Sequence, residues 1–437
     1  MYKALLKHIN KNTFLRNILI VSSGTAIAQS ISIFTTPIIT RFYSPDEFGL
    51  FSIVFAVISV MASFSTLRYE VAIPIEKKDK DAKAIIKLCF LILTTLTILI
   101  VIIQLIFVNT LIKYSQIQQM GRLLWLVPLF FFLTGSFRIL SNWSLRLKSF
   151  KIIAKVKLIQ SVSNSIIKII LGFFGVGVIG LFLGSFAQET AGINIFKKEL
   201  KKSNFFLFKN TTRIELIEVA KRYKRFPIYQ TWSQILLSLS PKLPMFFMLP
   251  LFGLEAVGFF GLASSIISAP INLIGSSISQ VYFAEVSNYG KNKPDKILKL
   301  SYTIIKKLIL IALFPLIIIL LFGPEIFSIA FGNNWEEAGV IAQALIFLII
   351  VKLIINPIMS CLNVLEMQNI QLIINIIRIS IVVIVFYLSS KLDLDIYITI
   401  LFYSISLSII YLIQLFLVLR NLKERCGIIN SNARLQE

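Results

Sequence analysis

The chain has 437 residues, of which 57% are apolar and 15% charged. With a mean hydropathy of +0.83, it lacks the polar surface that a water-soluble globule of this size exposes. Its formal charge of +23 would suit a nucleic-acid binder. The basic residues, however, border apolar runs, where they set membrane orientation and meet anionic headgroups, so nucleic acid is excluded as a partner.

Apolar runs near 20 residues recur along the whole chain, and a helix of ~20 residues crosses a ~30 Å hydrocarbon core. A membrane barrel would instead show ~10-residue alternating segments. The reading is an all-α, polytopic membrane protein with about twelve spans. They are placed at 16–40, 49–67, 84–108, 122–145, 156–172, 176–196, 227–250, 256–283, 302–322, 338–360, 370–389 and 396–419. The first run is too long for a cleavable signal and lacks a small-residue cleavage site, so it is expected to stay as a span. Spans five and six meet at the apolar, glycine-rich stretch Gly172–Gly180.

With the N-terminus cytoplasmic, most of the 44 basic residues fall in cytoplasmic segments, including the loop 197–225 and the tail. Only Arg41, Lys113, Arg122 and Lys391 fall on the other side. That asymmetry satisfies the positive-inside rule, and an even span count places both termini inside.

The loop 197–225 divides the chain near its middle. Within it Thr212 and Glu215 have capping-box spacing, and Leu216, Ala220 and Tyr223 share one helical face. Two readings stand: an interfacial helix joining two halves, or an ordinary connector helix. The halves also resemble each other. Phe42-Tyr-Ser-Pro45-Asp-Glu-Phe-Gly49 leads into span two, and Phe252-Gly-Leu-Glu255-Ala-Val-Gly258 leads into span eight. Six spans per half gives parallel repeats, a transporter architecture. The expected organisation is a six-helix lobe over 1–196, a basic linker over 197–226, and a second six-helix lobe with a tail over 227–437.

Catalytic and metal chemistry find no support. One histidine, His8, and three scattered cysteines, Cys89, Cys361 and Cys426, have no ligand or nucleophile spacing. No phosphate-cradling glycine loop of the Walker type occurs. The chain is therefore expected to be a non-enzyme with no cofactor and no metal.

The intramembrane charges carry the functional signal. Arg138, Lys168, Lys242, Lys352 and Arg378 fall inside spans, the last three near the centres, while Glu189 is the one acidic residue well inside. Each buried charge costs about 2.5–3.5 kcal/mol on insertion scales. One glutamate cannot neutralise five cations, and an anion received in a hydrated cavity would. Snorkelling toward headgroups is the competing account, and it suits Arg138 and Lys168 better than the central three. Polar stripes agree: Ser22, Thr25, Gln29, Ser32 and Thr36; Gln160, Asn164 and Lys168; Gln230, Gln234, Ser238 and Lys242; Ser265, Ser268, Asn272 and Ser279. Serine and threonine alone read as helix-packing surfaces, whereas the amides point to a wetted wall at Gln29, Gln160, Asn164, Gln230, Gln234 and Asn272. Pro37, Pro128, Pro244, Pro315 and Pro357 mark hinges or static kinks.

These residues also carry a resemblance. Thr40-Arg-Phe-Tyr-Ser-Pro-Asp-Glu-Phe-Gly-Leu-Phe51 with Leu67-Arg-Tyr-Glu-Val-Ala-Ile-Pro74 resembles the N-terminal signature of Wzx-type polysaccharide flippases. Leu251–Phe260 and Ala269–Gly275 resemble its second-half counterpart. The resemblance implies the multidrug/oligosaccharidyl-lipid/polysaccharide exporter superfamily, with two six-helix lobes around a central cavity. It further implies an undecaprenyl-diphosphate-linked oligosaccharide as substrate, moved across the bacterial cytoplasmic membrane. Membrane lipids, a proton or sodium ion for coupling, and other polysaccharide-assembly membrane proteins are the implied partners. Glu189 is the candidate coupling group, its alternative being an internal partner for a basic residue. The signature's Arg41, Pro45, Gly49, Arg68 and Glu70 lie at helix ends, where structural or gating roles are implied. A multidrug exporter of the same superfamily, or less readily a polysaccharide polymerase, remains the alternative.

Overall fold

The computed structural model describes residues 13–113, 123–202, 212–290, 293–364 and 368–434. His8 lies outside them. All described regular elements are helical, as hydrocarbon requires of segments that must satisfy their own backbone polar groups. Nine helices among the described residues are long and apolar enough to cross a membrane. The chain is a multi-pass, all-α membrane protein. It divides into two compact units, Met1–Lys242 and Leu243–Glu437, and the division falls inside the seventh expected span.

The first unit contains α1 (Thr13–Ile39), α2 (Pro45–Ala62), α3 (Asp79–Lys113), α4 (Leu126–Arg146), α5 (Phe150–Phe173) and α6 (Val178–Lys202), then α7 (Arg213–Arg222) and α8 (Thr231–Leu239). The signature around residue 45 is a helix start. Ser44 caps α2, its hydroxyl accepting from the Glu47 amide while the Ser44 amide donates to Glu47 Oε2 at 2.9 Å. Pro45 fills the first helical position, where no amide hydrogen is needed.

Lipid supplies no hydrophobic force between helices, so close approach of small residues must do the work. On α1, Gly24 leaves room for Ala154 of α5, where an added Cβ would stand 2.6 Å from the Ala154 Cβ. Ser32 and Thr35 pair with Ser161 and Ser165 of α5 at 3.1 and 2.8 Å. The hydroxyls of Thr25 and Thr36 donate to carbonyls of their own helix. Ser32 of the α1 stripe, with Thr35 beside it, is thus part of a packing seam against α5.

Helix α7 is docked onto this unit by its own chemistry. Thr212 and Glu215 form the expected capping box. Leu216, Val219, Ala220 and Tyr223 pack into the core that contains Ile73, Ile85 and Trp143. The Tyr69 hydroxyl donates to the Ala220 carbonyl at 3.2 Å. Glu76 accepts from Arg222 Nη1 at 3.0 Å and from the Tyr223 hydroxyl at 2.8 Å. Burial would push the Glu76 carboxyl up, but these bonds and those from the Lys77 and Lys78 amides hold it below its ordinary value, so it stays charged at neutral pH. Lys80–Glu215 at 2.6 Å and Arg222–Asp81 at 3.1 Å complete the clasp.

The second unit contains α9 (Leu243–Tyr289), α10 (Pro294–Phe331), α11 (Glu336–Met359), α12 (Gln368–Lys391) and α13 (Ile396–Arg434). Helix α11 is its axis, packed against α9, α10 and α13. The α10–α11 crossing is closest at Gly323 and Gly339, where a Cβ on Gly339 would fall 2.4 Å from the Gly323 carbonyl oxygen.

Several expected boundaries are corrected. The seventh span is not one helix: a π-turn at Phe226–Gln230 and α8 end at Leu239, and a turn precedes α9. Pro241 offers no amide to continue α8, and Pro244 suits only the opening turn of the next helix. The end of that span then runs into span eight as a single element bent at Gly253, whose φ of 84° favours glycine. Helices α3, α6 and α13 extend beyond their apolar segments, since Lys, Glu and Arg continue a helix at little cost once it leaves the bilayer.

Gly339→Val should destabilise the second unit by about 1–3 kcal/mol through overpacking against backbone. Gly275→Ala, whose new Cβ would meet nothing closer than 3.7 Å, should leave it unchanged. Thermal melting in detergent checks both, and equal melting temperatures for Gly339→Val and the parent would contradict the crossing.

Candidate functional site

The second unit brings two of the intramembrane cations to one aromatic ring. Arg378, on α12, lies with its guanidinium 3.8 Å from the centroid of Tyr411, on α13. Lys352, on α11, places its Nζ 5.7 Å from the same centroid. Arg378 donates through Nη1 to Asn375 Oδ1 at 3.2 Å and through Nη2 to Gln414 Oε1. Its Nε is buried and has no protein partner. Among the described residues neither cation has a carboxylate within ion-pair distance. A shared π face and neutral amides offset part of the burial cost, but they leave the net charge standing.

Lys352 also lines a cavity of about 280 Å³ between α9 and α11. The polar lining is Ser268, Asn272, Ser276, Ser279 and Asn356, with Ile271, Ile349 and Leu353 as the apolar part. Serines and asparagines spaced three or four apart along α9 put their groups on one face, and that face looks onto Lys352. A pocket with one cation and several hydroxyls and amides can bind an anionic group attached to a polyhydroxylated one.

The remaining expected residues are dispersed. Lys168 is buried between α5 and α6 in the first unit. Its Nζ lies 4.6 Å from the Phe51 ring centroid, and its stem fits against Gly184. Gln160 packs against Gly192. Gln29 Oε1 and Asn164 Oδ1 are buried without a protein hydrogen bond. Gln234 donates to the Ser238 hydroxyl at 3.4 Å, and Gln230 is exposed. Lys242 occupies the turn before α9 rather than a helix centre, because Pro241 and Pro244 break the span there. Arg138 and Glu189 are half-buried within electrostatic reach of each other, with Glu70, Arg68 and Lys157 nearby. Glu189 Oε2 has no hydrogen-bond partner.

The signature residues stand at helix ends. Arg41 is exposed, and Pro45 and Gly49 are buried in α2. Leu67 and Arg68 both have positive φ, 49° and 64°, a conformation costing ~1–2 kcal/mol per residue outside glycine. Glu70 anchors that corner, accepting from Thr66 Oγ1 and, at 3.1 Å, from Arg68 Nη1.

Tyr411, Gln414, Asn375 and Asn356 were not anticipated. The periodicity held the signal: Asn375 precedes Arg378 by one turn, Asn356 follows Lys352 by one, and Gln414 follows Tyr411 by three. Aromatic faces as partners for cations leave no such mark, because a tyrosine in an apolar run looks like any other lipid-facing residue.

A family described as polysaccharide biosynthesis protein matches residues 38–340. Curated proteins give no match by sequence. Among solved structures the chain is similar to an inward-facing multidrug resistance MATE family transporter of the MOP superfamily, with TM-score 0.68, 16% identity, and 93% and 99% of the two chains covered. It is also similar to the lipid II flippase MurJ in an inward closed conformation (TM-score 0.65, 15% identity, 92% and 87% covered). A third neighbour is a MOP superfamily transporter from Pyrococcus furiosus whose binding pocket is described as reversed in polarity (TM-score 0.58, 15% identity, 93% and 96% covered). At these identities the likeness establishes the fold: helical, multi-pass and shared with MOP superfamily transporters.

If the Tyr411 ring offsets the burial of Arg378, Tyr411→Phe should preserve stability. Tyr411→Leu should cost about 1–2 kcal/mol. Melting of the purified variants in detergent reads the difference, and equal losses in both would show that the π face is immaterial.

Proposed function

Because the chain belongs to the family of polysaccharide biosynthesis proteins, we propose that it is a flippase for undecaprenyl-diphosphate-linked oligosaccharide repeat units. It carries them from the inner to the outer leaflet of the bacterial cytoplasmic membrane, for O-antigen, capsule or exopolysaccharide assembly. Both termini are cytoplasmic in this reading, and the protein acts as a transporter without catalysing a reaction.

One observation supports the substrate above all: Lys352 and Arg378 share a single ring with no carboxylate among the described residues to neutralise them. A diphosphate carries about two negative charges and cannot cross hydrocarbon unaided. Lysine binds phosphate as a point charge without fixed geometry, which suits a headgroup that must later be released. The Ser268, Asn272, Ser276, Ser279 and Asn356 lining then accepts and donates to sugar hydroxyls, while the polyprenyl tail stays in lipid. Within the first unit, Lys242, Arg138 and the amides Gln29, Asn164, Gln230 and Gln234 are secondary candidates for substrate contact, whereas Lys168 and Gln160 serve the α5–α6 packing. Transport proceeds by alternating access. A multidrug exporter would share the fold, but an organic cation would be repelled by the same two side chains.

In cells lacking the gene, complementation with Lys352→Gln or Arg378→Gln should restore membrane protein but not surface polysaccharide. Loss of a charge-assisted contact of about 1.5–3 kcal/mol predicts transport slowed by roughly 10–100-fold, with the lipid-linked oligosaccharide accumulating on the inner leaflet. Normal surface glycan in both variants would reject the anionic site.

Coupling to an ion gradient is assigned to Glu189, whose unpartnered Oε2 lies among Arg138 and Lys157. Transport by Glu189→Gln in vesicles should no longer respond to an imposed pH gradient. An undiminished response would leave Glu189 as a structural counter-charge.

A further inference from the structure

Helix α7 has two apolar faces, and the clasp on the first unit uses one of them. Leu216, Val219, Ala220 and Tyr223 turn inward. On the opposite face Ile214 and Ile217 are 70% and 54% exposed, and the exposed Arg213, Lys221 and Lys224 stand beside them. The acidic Glu215 is turned away and held by Lys80, and Arg222 is spent on Glu76 and Asp81. The outward face is therefore apolar at its centre and basic at its rim, apart from the exposed Glu218 at one edge.

The location matters as much as the composition. Helix α7 packs on α3 and pairs with Lys80 and Asp81 of its first turn, where the apolar stretch that crosses the membrane begins, so it lies level with a hydrocarbon–water boundary. The chain leaves α7 through Ile228, Tyr229 and Trp232, which are 52%, 69% and 67% exposed. Tyrosine and tryptophan concentrate at that boundary.

We propose that the outer face of α7 is a docking surface for the bilayer itself: Ile214 and Ile217 enter the acyl region while Arg213, Lys221 and Lys224 bind anionic phospholipid headgroups. The clasp holds the helix to the protein and the lipid holds its other side. The inference stands apart from the identity of the transported molecule.

The test is a depth measurement. In a Cys426→Ser background, with Cys89 and Cys361 buried, Ile217→Cys is spin-labelled and the protein reconstituted in phosphatidylcholine vesicles with and without phosphatidylglycerol. Collision with oxygen should exceed that with a water-soluble nickel chelate several-fold relative to a label at Lys423→Cys. The excess should rise with phosphatidylglycerol and lose that dependence when Arg213, Lys221 and Lys224 are changed to Gln. Free access of nickel to the Ile217 label would overturn the proposal. Shielding from both reagents would also overturn it, by pointing to a protein partner. A lipid-exposed label indifferent to phosphatidylglycerol would refute the anionic headgroups. Ile214→Cys reads the same face should Ile217→Cys fail to fold.

Discussion

Holding a cation within hydrocarbon costs several kcal/mol, and the second unit holds two of them at one ring. Lys352 and Arg378 share Tyr411, with Asn375 and Gln414 as neutral acceptors. None of these neighbours cancels charge. The arrangement fixes both groups in direction, and Lys352 lines a cavity whose α9 wall is serine and asparagine. A structural salt bridge would have been cheaper, and that unneutralised cost among the described residues is the ground on which binding is proposed at this pair.

The scaffold around that pair is built from small residues. Gly323 and Gly339 let α10 and α11 touch backbone to backbone, Gly24 and Gly184 do the same for α1, α5 and α6, and Gly192 of α6 admits the Gln160 and Phe137 side chains. Hydroxyl pairs such as Thr35–Ser165 add hydrogen bonds across the contact. In lipid these are the available sources of helix association, which is why polar stripes that suggest a wet wall serve partly as seams. Lys168 shows the same economy, its stem lying on Gly184 and its ammonium on Phe51.

The basic ends of the first unit follow a different logic. There water competes, and an isolated surface pair is worth little. Glu76 gains from being nearly buried and from receiving four donors at once. The corner just before it carries strain at Leu67 and Arg68, secured by the buried Glu70. The signature stretch 67–74 is accordingly the anchor to which α7 is tied through Tyr69.

Membrane insertion, helical class, the capping box at Thr212 and the presence of intramembrane cations were legible in residue order, because each depends on local composition and on spacing within a few turns. The break before Lys242 was half legible: Pro241 and Pro244 stood in view, yet hydropathy averages over them. What tertiary structure alone decided is which polar groups meet. It sent Gln160 and Lys168 into the α5–α6 contact and brought Asn272 to Lys352. It also set Tyr411 between two cations from different helices. Periodicity places a side chain on a face of its own helix, but the partner across the gap depends on how each helix is rotated and tilted against its neighbours, and that is settled by packing among residues far apart in the chain.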